Sequence, residues 1–92
     1  MDISVEISLY PLDKKYLSSI DEFIKRLNGY DSVEVRTNPM STQIFGDFEI
    51  IMKILKTEIR NIFNTKVDSV LNLKIINIDS RNFDQKNLFK KT

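Results

Sequence analysis

The chain has 92 residues, of which 41% are hydrophobic and 29% charged, a net charge of +1, and neither cysteine nor histidine. A chain this short supports one core, because it buries only about 60–65% of the surface its unfolded form exposes. The missing residue types exclude disulfides, thiolate metal sites, cysteine nucleophiles and any Ser-His-Asp arrangement, and they remove the usual general base near neutral pH.

The amino-terminal MDISVEISLY lacks the basic start and unbroken apolar stretch of a signal peptide. No run approaches the roughly 18 apolar residues of a membrane span. A soluble, cytoplasmic protein is expected, with no membrane partner. Within this first stretch Ile3, Val5, Ile7 and Leu9 alternate with Ser4, Glu6, Ser8 and Tyr10, the period of a strand with one buried face. Pro11 ends it, and Asp13 is placed to cap a helix over 14–28, with Leu12 and Leu17 as a hydrophobic staple. Tyr16, Leu17, Ile20, Phe23, Ile24 and Leu27 give that helix its apolar face, and Asn28-Gly29 stops it.

Residues 32–37 alternate again as a second strand, Asn38-Pro39 makes a turn, and 40–45 return antiparallel as a third. Gly46-Asp47 closes that strand and caps a second helix over about 48–64, whose apolar face runs through Phe48, Ile51, Met52, Leu55, Ile59, Ile62 and Phe63. Residues 67–78, rich in β-branched side chains, form a fourth strand long enough to carry a bulge. Residues 1–79 thus make one domain, and 80–92 a polar, basic, flexible tail. Residues 81–92 carry Arg81, Lys86, Lys90 and Lys91 against Asp84, so the folded part is mildly acidic.

The βαββαβ order, with right-handed crossovers, puts both helices on one face of a four-stranded antiparallel sheet. This is the α+β, ferredoxin-like arrangement, with spatial order fourth, first, third, second. Its other face is open. Ser4, Glu6, Ser8 and Tyr10 are expected there from the first strand, and Ser41, Gln43 and Phe45 from the third, with Thr42 and Ile44 turned to the helices. Antiparallel pairing brings Glu6 near Gln43, Tyr10 near Ser41 and Phe45 near Ser4. Polar groups beside aromatic surface suit a flat, polar heterocycle, and a solvated sheet face or polar oligomer seam suits them equally. Glu6 and the mildly acidic balance oppose nucleic-acid binding, which wants basic residues and stacked aromatics on the central strands. Catalysis would require a second carboxylate beside Glu6 or an activated nucleophile, and neither is evident. No glycine-rich phosphate loop occurs, since Gly29 and Gly46 stand alone.

The segments SVEISLYPL (residues 4–12) and TNPMSTQIFGDFEIIMKIL (residues 37–55) together resemble the YkoF-like thiamine-binding protein family. Its members share a strand I-S-x-E-[IV]-S-x-Y-P-L, a hairpin strand T-N-x-M-S-T-Q-[IV]-x-G, and a following helix with a V-M-type core pair. The match covers about residues 2–76. It implies a ferredoxin-like subunit that associates through its sheet faces into dimers or tetramers and binds thiamine or its hydroxymethylpyrimidine part, with no cofactor required and no catalysis. The matching positions are Glu6, Ser8, Tyr10, Asn38, Met40, Ser41, Thr42 and Gln43. On chemical grounds Ser8, Ser41 and Gln43 suit the pyrimidine edge, Glu6 its amino group or the thiazolium, and Tyr10 or Phe45 a ring face. Met40 as core filler, Thr42 as a helix-facing strand residue and Asn38 as a turn former are the structural alternatives. The competing function is an oligomeric interaction module without a thiamine-type ligand.

Overall fold

A computed structural model describes residues 1–81 of the chain; the expected tail from 82 onward lies outside the described residues. Its elements are β1 (Asp2–Pro11), α1 (Tyr16–Asn28), β2 (Glu34–Thr37), β3 (Thr42–Asp47), α2 (Phe48–Phe63) and β4 (Ser69–Ile76). The strands form one antiparallel sheet in the order β2-β3-β1-β4, as the ferredoxin-like arrangement requires. Ile3, Val5, Ile7, Leu9 and Ile44 fill its covered face and pack with Phe23 and Leu27 of α1 and Ile51, Ile54, Leu55 and Ile62 of α2. Each such side chain contributes about 1.5–3 kcal/mol on burial.

Two helix starts contrast with one another. Asp47 caps α2, its carboxylate accepting from the Glu49 and Ile50 N–H groups at 3.1 and 3.4 Å. Asp13 does not cap α1, which begins at Tyr16 behind Lys15 with no side-chain cap. The reason is upstream. Leu12 N–H still donates to the Asp68 carbonyl at 2.8 Å, so extended pairing outlasts Pro11 and leaves residues 13–15 for the turn. Leu12 and Leu17 are both exposed, and the expected staple is not formed.

The hairpin also turns later than its sequence suggests. Asn38 Oδ1 accepts from the Met40 and Ser41 N–H groups at 2.8 and 3.0 Å, which bends residues 38–41 into the turn and delays β3 to Thr42. β4 pairs with β1 from Pro11↔Ser69 to Ser4↔Ile76 without a bulge.

Three bonds at the strand ends fix the alternation of the ladders. Leu12 donates to Asp68, Phe48 to Met1 and Asn38 to Ser41. Since bonded and non-bonded pairs alternate, even-numbered residues of β1 exchange bonds with even-numbered residues of β4, while its odd-numbered residues turn their peptide groups toward β3. Pro11 falls on the β3 side, where no partner strand remains, so its missing N–H costs the ladder nothing.

Between α1 and α2 lies the one buried charge among the described residues. Glu58 of α2 accepts from Arg26 Nε at 2.8 Å and from the Tyr30 hydroxyl at 2.6 Å. The hydrogen bond to Glu58, then burial and the carboxylate's charge, raise the Tyr30 pKa above its ordinary value.

Candidate functional site

β1 pairs with β3 only as far as Ile7↔Thr42, whereas it stays paired with β4 to Pro11. The last four residues of β1 therefore have a strand on one side only. On the vacant side a cleft of about 350 Å³ opens between this strand end, the 37–42 hairpin and the first turns of α1. That volume is within the range of small-molecule sites, roughly 300–1,000 Å³. Its floor is Ile20, Phe23 and Ile24, and its rim carries Tyr10, Tyr16 and Met40.

Six of the nine expected residues line this cleft: Ser8, Tyr10, Asn38, Met40, Ser41 and Thr42. Glu6, Gln43 and Phe45 line instead a smaller depression of about 150 Å³ on the open sheet face, with Ser4, Lys74 and Ile76. Glu6↔Gln43 and Ser4↔Phe45 are paired as the alternation requires, but Tyr10 sits opposite Val70 of β4 rather than across from Ser41. The register is the cause, because pairing Glu6 with Gln43 carries Ser41 to the level of Ser8. Leu71 lies opposite Leu9 on the helix side. Met40 is 84% exposed and fills no core, Thr42 is buried on the helix side with its hydroxyl 3.2 Å from that of Thr37, and the Asn38 oxygen is committed to the turn.

A short polar chain joins the two concavities. Gln43 Nε2 donates to Ser41 Oγ at 2.7 Å, Ser41 Oγ donates to Glu6 Oε2 at 3.0 Å, and Lys74 Nζ stands 3.7 Å from Glu6 Oε1. The Ser41 proton is thus committed to Glu6. What Ser41 retains for the cleft is a lone pair, which accepts from an amino group. Leu9 adds main-chain chemistry. By the ladder alternation its N–H and C=O point to the β3 side, and among the described residues no backbone group meets them. Leu9 and Tyr16 were not singled out by side-chain reasoning. The signal in the sequence is Pro11, a residue that tolerates a strand only where a donor is not needed.

The depression is partly closed. Ser4 Oγ donates to the Ile78 carbonyl at 2.8 Å and accepts from Ser80 N–H at 2.8 Å, which draws the chain after β4 across the open face. Arg81 then reaches Glu34 at 3.7 Å and stands over the Phe45 ring at 5.9 Å, with Arg36 over the same ring at 5.2 Å. Phe45 is left 6% exposed. Arg81 also holds Asp79, chiefly by side-chain hydrogen bonding, at a pKa of about 2. Among the described residues no cluster of three or more His, Cys, Asp or Glu could hold a metal, and no helix is long and apolar enough to cross a membrane.

No curated protein matches the chain at a significant level. Solved structures do. The chain superimposes with a TM-score of 0.76 on a Streptococcus pneumoniae protein at 24% identity, covering 97% of this chain and 99% of that one. It superimposes with a TM-score of 0.73 on a candidate thiamine biosynthesis/salvage protein of Thermotoga maritima at 23% identity, covering 99% and 98%. A Methanocaldococcus jannascii protein gives 0.71 at 25% identity, covering 98% and 94%. These likenesses carry the fold. The family model described as "Thiamine-binding protein" matches residues 5–92, nearly the whole sequence, and both the end of β1 that borders the cleft and the hairpin that walls it fall inside that match. The chain belongs to the thiamine-binding protein family.

Proposed function

We propose that the protein binds thiamine or its hydroxymethylpyrimidine part, without turnover, in the cleft at the end of β1. The observation that carries this reading is the unpaired strand end, where the Leu9 peptide groups stand beside the Ser41 lone pair and an aromatic rim. An aminopyrimidine offers ring-nitrogen acceptors and an amino donor. Leu9 N–H and Ser8 Oγ supply donors, Leu9 C=O and Ser41 Oγ supply acceptors, and Tyr10 or Tyr16 covers a ring face. Met40 closes the mouth, while Asn38 and Thr42 hold the hairpin. Glu6, outside the cleft, orients the Ser41 hydroxyl with Gln43, and Phe45 serves the open face under its two guanidinium groups.

The same reading has the protein as a cytoplasmic homo-oligomer, a dimer or tetramer built through sheet faces. Tyr10, Val70 and Ile76 leave apolar surface exposed on the open side, which favours such stacking. That surface is also what supports the second reading, an interaction module with no thiamine-type ligand.

Titration calorimetry with thiamine and with hydroxymethylpyrimidine separates the two. Saturable binding is expected, weakened about tenfold or more by Ser41→Ala through loss of a hydrogen bond and by Tyr10→Ala through loss of ring contact. Lys56→Ala, exposed on α2 and outside the cleft, should leave it unchanged. Absence of heat with both compounds would leave the interaction module.

A further inference from the structure

Serine hydroxyls and asparagine amides ordinarily adapt to a ligand, because a hydroxyl turns to donate or accept and an amide presents either end. On the hairpin that walls the cleft both kinds of freedom are removed. Ser41 Oγ donates its one proton to Glu6 Oε2 at 3.0 Å and accepts from Gln43 Nε2 at 2.7 Å, which leaves it a single lone pair. Asn38 Oδ1 accepts from the Met40 and Ser41 N–H groups at 2.8 and 3.0 Å. Turning that amide over would set its NH2 against two donors, so the oxygen stays in the turn and the NH2 is what Asn38 can offer a ligand. Ser41 and Asn38 line the cleft, whereas Glu6 and Gln43 lie outside it.

The wall therefore carries one acceptor and one donor of fixed sense. Among the described residues no charged side chain lines the cleft to override them. We infer that this wall selects an aminopyrimidine over the corresponding oxopyrimidine, and that Glu6 is the positioning residue that sets the selection. The inference rests on the cleft being the pyrimidine site, and adds which chemical edge that site reads. In an aminopyrimidine the exocyclic NH2 donates and the adjacent ring nitrogen accepts, which meets Ser41 and Asn38 in turn. In the oxo form both senses are reversed. Its carbonyl faces the Ser41 lone pair and its ring N–H faces the Asn38 NH2, so each contact sets like against like. The Leu9 peptide offers both a donor and an acceptor and does not by itself discriminate. The selection comes from a carboxylate on the open face, acting through one hydroxyl.

Titration calorimetry of the full chain with hydroxymethylpyrimidine and with its deaminated, oxo counterpart reads the selection as a ratio of affinities. The parent is expected to prefer the amino compound by about a hundredfold, from two mismatched groups at roughly tenfold each. Glu6→Gln places beside Ser41 an amide that can donate to it, which returns the Ser41 proton to the cleft. The ratio should then fall about tenfold, the oxo compound gaining and the amino compound losing. Asn38→Asp keeps the oxygen that the turn needs and removes the NH2, and should also cut the ratio about tenfold. A Glu6→Gln variant that binds both compounds more weakly, with the ratio unchanged, would give Glu6 a merely structural role and overturn the inference. So would a parent that binds both compounds alike, an outcome that leaves the pyrimidine site standing. Heat from neither compound would remove that site and the inference with it.

Discussion

Arg26→Ala is expected to destabilise the protein by about 3 kcal/mol, far beyond the usual surface substitution. The side chain of Glu58 is 4% exposed and its oxygens are divided between Arg26 and Tyr30. Removing the guanidinium leaves a buried carboxylate with one neutral donor, so the cost is the desolvation of an uncompensated charge. Arg26 is itself one-third exposed, which places the figure at the lower end for such pairs. Its other partner, Glu22 at 3.4 Å one turn away, is solvent-exposed and contributes little. Urea unfolding measures the loss. Replacing the trio together by Arg26→Met, Glu58→Leu and Tyr30→Phe should recover most of it, because an apolar cluster needs no pairing. A single Arg26→Ala variant within 1 kcal/mol of the parent would show that water reaches Glu58. The trio also sets an alkaline limit. Because the folded-state pKa of Tyr30 is raised, its contribution is complete below the ordinary tyrosine value of 10.0 and is lost as pH rises through the folded value. Tyr30→Phe should remove that dependence.

Phe23→Ala is expected to cost about 3–5 kcal/mol, a large part of the roughly 5–14 kcal/mol available to a chain of this size. Phe23 is among the largest fully enclosed side chains, and it is also the floor of the cleft. Truncation therefore opens the cleft downward instead of sealing a closed void. The fall in thermal midpoint, roughly 4–8 °C per kcal/mol at this size, reports the stability term. Loss of pyrimidine affinity beyond that of Tyr10→Ala, measured where the variant is still folded, reports the floor. A drop below 1 kcal/mol would mean that α1 collapses onto the sheet, in which case the cleft should close and binding vanish with little change in stability.

The fold was legible because its periods are clean. Alternation from Ile3 to Leu9, three- and four-residue spacing in both helices and the order of elements leave one common topology, and the central register of Glu6 with Gln43 and Ser4 with Phe45 follows from it. The cleft was not legible, because it exists only where two neighbouring strands differ in length. That difference comes from the Asn38 side chain capturing two backbone donors and from Leu12 keeping its place in a ladder, both local competitions that periodicity does not weigh. The enclosure of Phe45 depends on Ser80 and Arg81, far along the chain, and a strand's own pattern does not report who crosses it.

The position of β1 bears on how the protein is made. The first strand of this domain to be made is the one that needs both neighbours, β3 and β4, which follow it in the sequence, and Ser4 is then tied to Ile78 and Ser80. Until the last strand is released, Ile3, Val5, Ile7 and Leu9 have half a sheet to join, and the contacts that complete it span most of the sequence. The sheet is therefore completed only once β4 has been made, and a nascent chain stalled before residue 69 presents one unpaired edge of β1 to whatever chaperone or neighbouring chain is near.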